Sequence, residues 1–387
     1  MKRVLKKLYY ALKSCGEKDV DTQLVRLSPD SPPRGRVLLS YIIESFTTDP
    51  DHPVFRSHTH YWETRQMVNT FLELGYAVDL ISYRNTRFQP QHHYDFFISA
   101  RTNFDRIASL LNASCVKVVH LDTAHWVTNN YNAYGRLCDL VRRRNVALDG
   151  SIRLIEHNAA IENADLATIL GNTFTIESYA YANTPIYRIP ISSPVTYDRR
   201  ERDIDAIRNN YIWFGSSGFV HKGLDLVLEL FAGLPDYQLF VCGPFDREKA
   251  FLEEFHQELF ETGNIHPVGW VDVNGVKFRD ILDRCLGIIY PSCAEGGGGS
   301  VITCMHAGVI PVVSYQASVD VGDNGIVLKD CSLAEMRKQI TTLSGLPLSE
   351  LENMSRATQE FASSVHTRAS FTEKYRDFVV NTLLSTT

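Results

Sequence analysis

The stretch from Tyr290 to Ser314, YPSCAEGGGGSVITCMHAGVIPVVS, constrains the fold more than any other in this chain. An apolar run, Gly287 to Tyr290, enters it as a buried strand. Glu295, four glycines (Gly296 to Gly299) and Ser300 follow, and then a short helical pattern through Val301, Ile302, Met305 and His306 that stops at Gly308. Ile310 to Val313 starts another apolar strand. Strand, glycine loop, helix and strand in that order belong to a parallel α/β sheet. Glycines let a backbone come close to a ligand, and the start of the helix offers unpaired N–H groups to an anion. Aligned peptide dipoles add partial positive charge there, so a phosphate or diphosphate is the expected guest. Four glycines between buried strands also lose too much chain entropy on folding to be a neutral choice.

The same strand–helix rhythm runs through the rest. Arg36 to Phe46 reads as a first strand, roughly Tyr61 to Leu74 as a helix closed by Gly75, and Tyr76 to Ser82 as a second strand. YDFFIS, VKVVHL, NADLATIL and the extended PIYRIP continue a first sheet. Ser192 to Arg208 is charged and carries no apolar run, which marks a domain boundary. Beyond it the rhythm restarts with NYIWF, a helix from Leu224 to Phe231, YQLFVC, Ile265 to Trp270, a helix near Phe278 to Cys285, and Gly325 to Leu328. A helical region from about Leu348 to Leu384 closes the chain. A length of 387 residues fits two domains better than one core. The expected architecture is α/β, two Rossmann-like domains facing a central cleft. Residues 1–34 form a basic helix and tether, 35–195 an acceptor domain and 196–365 a donor domain. Residues 366–387 form a helix that packs back on the first domain.

Composition narrows the function. A net charge of −6 argues against a general nucleic-acid binder, which needs a basic field. Eight cysteines are scattered without a C-x-x-C pair, several inside apolar runs, and read as reduced core residues of a cytoplasmic protein. No apolar run reaches the roughly 20 residues that cross a bilayer, and the basic, interrupted start does not read as a signal peptide. Residues 1–14, MKRVLKKLYYALKS, set five cations around Val4, Leu5, Leu8, Tyr9 and Leu12. Such a helix either lies on an anionic membrane surface, each cation adding about 1 kcal/mol, or docks on its own domain with a solvated basic face. The first of these would make the protein peripheral on the inner face of the membrane.

The site candidates follow from strand ends, because open parallel sheets bind ligands beyond the carboxyl ends of their strands. In the second half these ends carry Gly215-Ser216-Ser217, Gly243-Pro244, Gly269-Trp270, and Glu295 with its glycines. Lys222 starts a helix seven residues after Gly215 and can face a diphosphate as a point charge. In the first half His125 stands at the mouth of a strand in HLDTAHW, where it either meets a substrate hydroxyl or caps a helix. His58 and His60 read as polar loop residues rather than metal ligands. The D-x-D spacings at Asp19/Asp21, Asp49/Asp51 and Asp203/Asp205 fall in polar loops, and no metal site is expected.

HKGLDLVLELF and PSCAEGGGGSVITCMHAGVIPVVS together resemble the donor domain of GT-B glycosyltransferases of the retaining family 4 group. The resemblance is clearest from Asn210 to Leu328 and weaker over the first domain. It implies a nucleotide-diphosphate sugar donor, a glycan or lipid-linked acceptor, retention of anomeric configuration, and no cofactor or metal. It assigns Glu295 and His125 (with His120 second) to the catalytic centre. Lys222 falls on the diphosphate, and Gly297, Gly298, Gly299 and Ser300 on phosphate and sugar. Ser216, Ser217, Gly243, Trp270 and Thr303 complete the donor set. Two positions depart from the family pattern: Thr303 stands where a ribose-binding glutamate is usual, and Ser217 where an arginine is usual. A catalytically silent relative that binds a nucleotide sugar or glycan is the alternative, and a GT-B sugar-nucleotide epimerase a third.

Overall fold

A computed structural model describes residues 21–386 except Pro50 and Pro53. The basic stretch 1–14 therefore lies outside the described residues.

Two sheets dominate. The first has seven strands in the order β1-β3-β2-β4-β5-β6-β7. They are β1 (Leu24–Leu27), β2 (Gly35–Tyr41), β3 (Tyr76–Ser82), β4 (Phe96–Ala100), β5 (Val116–Leu121), β6 (Leu166–Ile169) and β7 (Ile186–Arg188). All pair in parallel except β1, which runs antiparallel to β3 with Leu24 opposite Ile81. Within the expected tether 15–34, Leu24–Leu27 instead pairs along the sheet edge as a strand. Its weak alternation and the prolines after it hid a four-residue strand. The expected strand Arg36 to Phe46 ends at Tyr41, and Glu44–Thr47 turns into one helical turn.

The second sheet is wholly parallel, in the order β10-β9-β8-β11-β12-β13. It contains β8 (Asn210–Phe214), β9 (Gln238–Cys242), β10 (Ile265–Gly269), β11 (Gly287–Tyr290), β12 (Ile310–Ser314) and β13 (Ile326–Leu328). Strands such as GIIY and IPVVS are buried at every position because helices cover both faces of a parallel sheet. In each sheet the order of the parallel strands reverses once, between β2 and β4 and between β8 and β11. Those two switch points, where a crevice opens beyond the strand ends, face each other.

Helix α1 (Thr59–Glu73) buries Met67, Val68 and Phe71 and ends at Gly75, whose φ of 85° only glycine adopts freely. Helix α2 (Trp126–Arg144) was not apparent in the sequence, since its polar residues break the apolar pattern. It ends with Arg142, Arg143 and Arg144 in its last turn, a favourable place for cations. Arg143 reaches Asp225 at 2.5 Å, and Arg144 reaches Glu229 at 2.9 Å and also Glu258, so α2 ties the first body to the second. Helix α3 (Leu224–Ala232) is buried over most of its length.

The chain crosses between the bodies twice. After Ile191 the charged segment is held rather than loose, with Arg202 donating to Cys285 O at 3.0 Å and Gly308 O at 2.7 Å. Near the carboxyl end, α5 (Leu348–Val365) breaks at His366 and α6 (Arg368–Asp377) packs on α1 through Trp62–Phe371 and Phe71–Tyr375 ring contacts. The helical region expected from about Leu348 to Leu384 consists of two main helices with a break at His366. Buried His366 pins the crossing, donating from Nδ1 to Ile191 O at 3.3 Å while its own carbonyl accepts from Ser193 N at 3.2 Å.

Candidate active site

The two switch points enclose a polar cavity of about 590 Å³. On the second-domain side its lining includes Ser216, Lys222, Tyr290, Glu295 and the residues from Gly296 to Ser300. Lys222 sits one residue before Gly223, whose φ of 74° lets the loop turn into α3. Its ammonium pairs with Glu295 and donates to Tyr290 Oη at 3.0 Å. Glu295 Oε1 also accepts from Tyr290 Oη and Ser292 Oγ, each at 3.0 Å. Burial alone would raise the Glu295 carboxyl, but the charges of Lys222, Arg153 and His221 outweigh it and bring it to about 2. Burial lowers the Lys222 ammonium, and Glu295 opposes that. The carboxylate therefore stays ionised throughout the physiological range.

His221 orders the wall from behind. Its Nε2 donates to Ala294 O at 2.8 Å, while Nδ1 accepts from Arg153 N at 3.3 Å, which fixes the neutral tautomer. Burial pushes this imidazole down to about 4.

The four glycines do different things. A side chain at Gly296 would run into the backbone of Asp122 and Thr123, so this glycine allows the two domains to touch. One at Gly298 would collide with Val319, and its φ of 54° disfavours other residues. Gly297 and Gly299 have room around them and face the cavity. The helix after them, α4 (Gly299–Met305), has seven residues. What it offers a ligand is its first backbone N–H groups rather than a long helix dipole. Among the described residues, no acceptor takes the N–H groups of Gly297, Gly298 or Gly299.

The first-domain side is built from loops beyond β2, β4 and β5, and sequence reasoning largely missed it. His60 Nδ1 meets the fully buried Glu63 at 2.9 Å, and Glu63 in turn accepts from Ser192 N at 2.9 Å and Ser192 Oγ at 3.0 Å. Burial would lower the His60 imidazole, but the Glu63 carboxylate raises it above its usual value. Arg101 pairs with Asp122. Tyr41, buried edge-on to His60 and His120, has no partner for its hydroxyl among the described residues.

Several expected positions fall elsewhere. His125 does not line the cavity: it caps α2, its Nδ1 accepting from Val127 N at 3.4 Å, and its Nε2 lies 3.0 Å from Tyr181 Oη. His120 is fully buried with Nδ1 2.8 Å from Thr168 Oγ1. Ser217 is outside the lining, Gly243 is packed against Phe219, and Trp270 is 69% exposed away from it. Thr303 spends its hydroxyl on Gly299 O at 2.8 Å, one turn back in its own helix. The strand-end rule selects a neighbourhood, and it cannot tell which side chains turn into the crevice.

Comparison with solved structures matches this arrangement over nearly the whole chain. Sucrose-phosphate synthase from Thermosynechococcus elongatus superposes with a TM-score of 0.60 at 13% identity, covering 91% of this chain and 99% of its own. Anabaena HepE in complex with UDP and glucose gives 0.53 at 13%, covering 91% and 100%. This chain has the GT-B fold. A variant of S. aureus TarM in complex with fondaparinux, α-GlcNAc-glycerol and UDP gives 0.53 at 13%, over 74% of this chain. This GT-B chain spans 55% of the TarM chain. No protein-family model matches the sequence, and no curated protein does. Among the described residues no helix is long and apolar enough to cross a membrane.

Proposed function

We propose that this chain is a glycosyltransferase that moves a sugar from a nucleotide-diphosphate donor to a glycan or lipid-linked acceptor. The observation that carries the reading is the interdomain cavity joining Lys222, Glu295 and the open N–H groups of the glycine loop to a polar first-domain wall. A diphosphate leaving an anomeric carbon accumulates negative charge. Fixed donors at its oxygens, the Lys222 ammonium and the backbone N–H groups of Gly297 to Gly299, stabilise that charge without reorganising. Glu295, kept ionised, faces the positive charge developing on the sugar. The first-domain wall, with His60 and Asp122, takes the acceptor hydroxyl, a role that the position of His125 does not favour. A uridine nucleotide is our choice of donor, because HepE and TarM are in complex with UDP. Retention and metal independence follow the sequence resemblance, and a hexosyl group is the donor sugar it implies. Membrane contact through residues 1–14 and a cytoplasmic location belong to the same proposal.

A thermal-shift series with UDP, GDP and ADP, followed by UDP-glucose hydrolysis with and without Glu295→Ala, tests this. The parent is stabilised by UDP and releases UDP slowly, and the variant loses that release. A catalytically silent binder is the second reading, favoured by the Thr303 hydroxyl being used within its own helix. Stabilisation by UDP with no turnover of any donor in the parent selects it.

A further inference from the structure

Three Arg and Lys side chains line the cavity, and they are not equivalent. Arg101 is neutralised by Asp122, and Lys222 by Glu295. A diphosphate carries several negative charges, and two internally balanced pairs leave it short of cation. Arg153 is the third. Its guanidinium is exposed and makes no hydrogen bond or ion pair among the described residues.

Its backbone, in contrast, is fixed tightly. Arg153 N donates to His221 Nδ1 at 3.3 Å, and Arg153 O accepts from Asn129 Nδ2 of α2 at 2.8 Å. Two residues earlier, Ser151 O accepts from His221 N at 3.0 Å, and Ser151 Oγ shares the Glu248 carboxylate with Gly218 N. The aliphatic stem crosses the turn between β8 and Lys222: a side chain at Gly218 would come within 2.9 Å of Arg153 Cγ and 3.0 Å of Cδ. Gly218 also has a φ of 92°. A segment that lies between β5 and β6 of the first sheet thus places an unpaired guanidinium over the second domain's lysine turn.

We infer that Arg153 is the second cation of the nucleotide-diphosphate site, supplied from the first domain to a donor bound mainly by the second. A guanidinium binds phosphate oxygens in a two-pronged fashion that a lysine point charge does not, so it orients the diphosphate as well as neutralising it. Because the cation comes from across the cleft, bound diphosphate stabilises the closed arrangement of the two domains. This inference rests on the donor site proposed above.

Titration calorimetry of the full chain with UDP tests it, using the parent, Arg153→Ala and Arg153→Lys. Arg153→Ala weakens UDP about tenfold to a hundredfold, the range of a charge-assisted bond, and Arg153→Lys falls between. Both variants melt within about 2 °C of the parent, because the exposed guanidinium makes no hydrogen bond or ion pair among the described residues. Equal UDP affinity in the parent and Arg153→Ala overturns the inference alone. A parent that binds none of UDP, GDP or ADP overturns the donor-site reading, and this inference with it.

Discussion

The second-domain wall of the cavity comes mostly from two short reaches of chain, 216–222 and 290–300, whereas the first-domain wall draws on loops near residues 41, 58–60, 101 and 122. The second wall is also the more rigid in charge: Lys222 and Glu295 are only 3% and 14% exposed, and Lys222, Tyr290 and Ser292 all converge on Glu295 Oε1. On the first wall, Arg101 and Asp122 are 20% and 30% exposed, and water competes for both. One wall is thus prebuilt around a desolvated pair, the other around pairs that solvent can screen.

Removing one cation from each wall makes that contrast measurable, and gives the largest effect we expect. Lys222→Ala removes the ion-pair partner of the mostly buried Glu295 carboxylate, leaving it only Tyr290, Ser292 and the charge of Arg153, and breaking such a pair typically costs about 3–5 kcal/mol. Arg101→Ala breaks a partly exposed pair and costs about 1 kcal/mol. Denaturant unfolding of both variants reads the difference. Equal losses would mean that the Lys222 pair is as well solvated as the other, and the contrast between the walls would fail.

The same contrast explains what could be read from the sequence. The glycine loop, Lys222 and Glu295 fall in contiguous motifs flanked by apolar runs, so strand periodicity and turn residues were enough to locate them. Both sheets and the crossing near Ser192 were legible for the same reason. The first wall was not, because it depends on which loop residues turn inward. His60 is placed by Glu63 three residues along α1 and by Ser192 far away in sequence. Arg153 lies in a loop without periodicity and is placed by His221 of the other domain. His125 lies outside the cavity lining for a local reason: a histidine just before a helix can use its ring as a cap, and this one does.

Acid separates the walls next. His120, His221 and His366 are buried and held neutral, each brought to about 4 by burial. An unfolded histidine titrates near 6.5, so between pH 6.5 and 4 the unfolded chain binds more protons, and stability falls as pH falls. At pH 5 each such histidine costs about 2 kcal/mol. For His221 the reason is visible: a proton on Nδ1 would face the Arg153 N–H that it now accepts. His60 on the first wall runs the other way. Glu63 raises its imidazole, so its contribution is present below pH 6.5 and is lost as pH rises through the folded value. Denaturant unfolding at pH 5 and pH 7 shows a net loss at pH 5. His221→Asn narrows that loss, and His60→Asn widens it. A loss at pH 5 that His221→Asn leaves unchanged would remove the neutral histidine from the account of the second wall.

The smallest effect concerns Thr303, which stands behind the second wall rather than in it and whose hydroxyl is already taken. Thr303 lies 2% exposed within α4, and its hydroxyl donates back to Gly299 O, a bond that competes with any outward use. Thr303→Val keeps the shape and removes the hydroxyl. The lost bond is to a carbonyl at the start of a helix, which water in the cavity can reach, so we expect less than about 1 kcal/mol of stability to be lost. UDP affinity should stay within about twofold, because a hydroxyl turned along its own helix has no donor left for a ribose. A tenfold fall in UDP affinity would mean that the first turn of α4 opens when a nucleotide enters and frees Thr303. The second wall would then be rebuilt by its ligand rather than prebuilt, and its contrast with the first would be a property of the empty cavity alone.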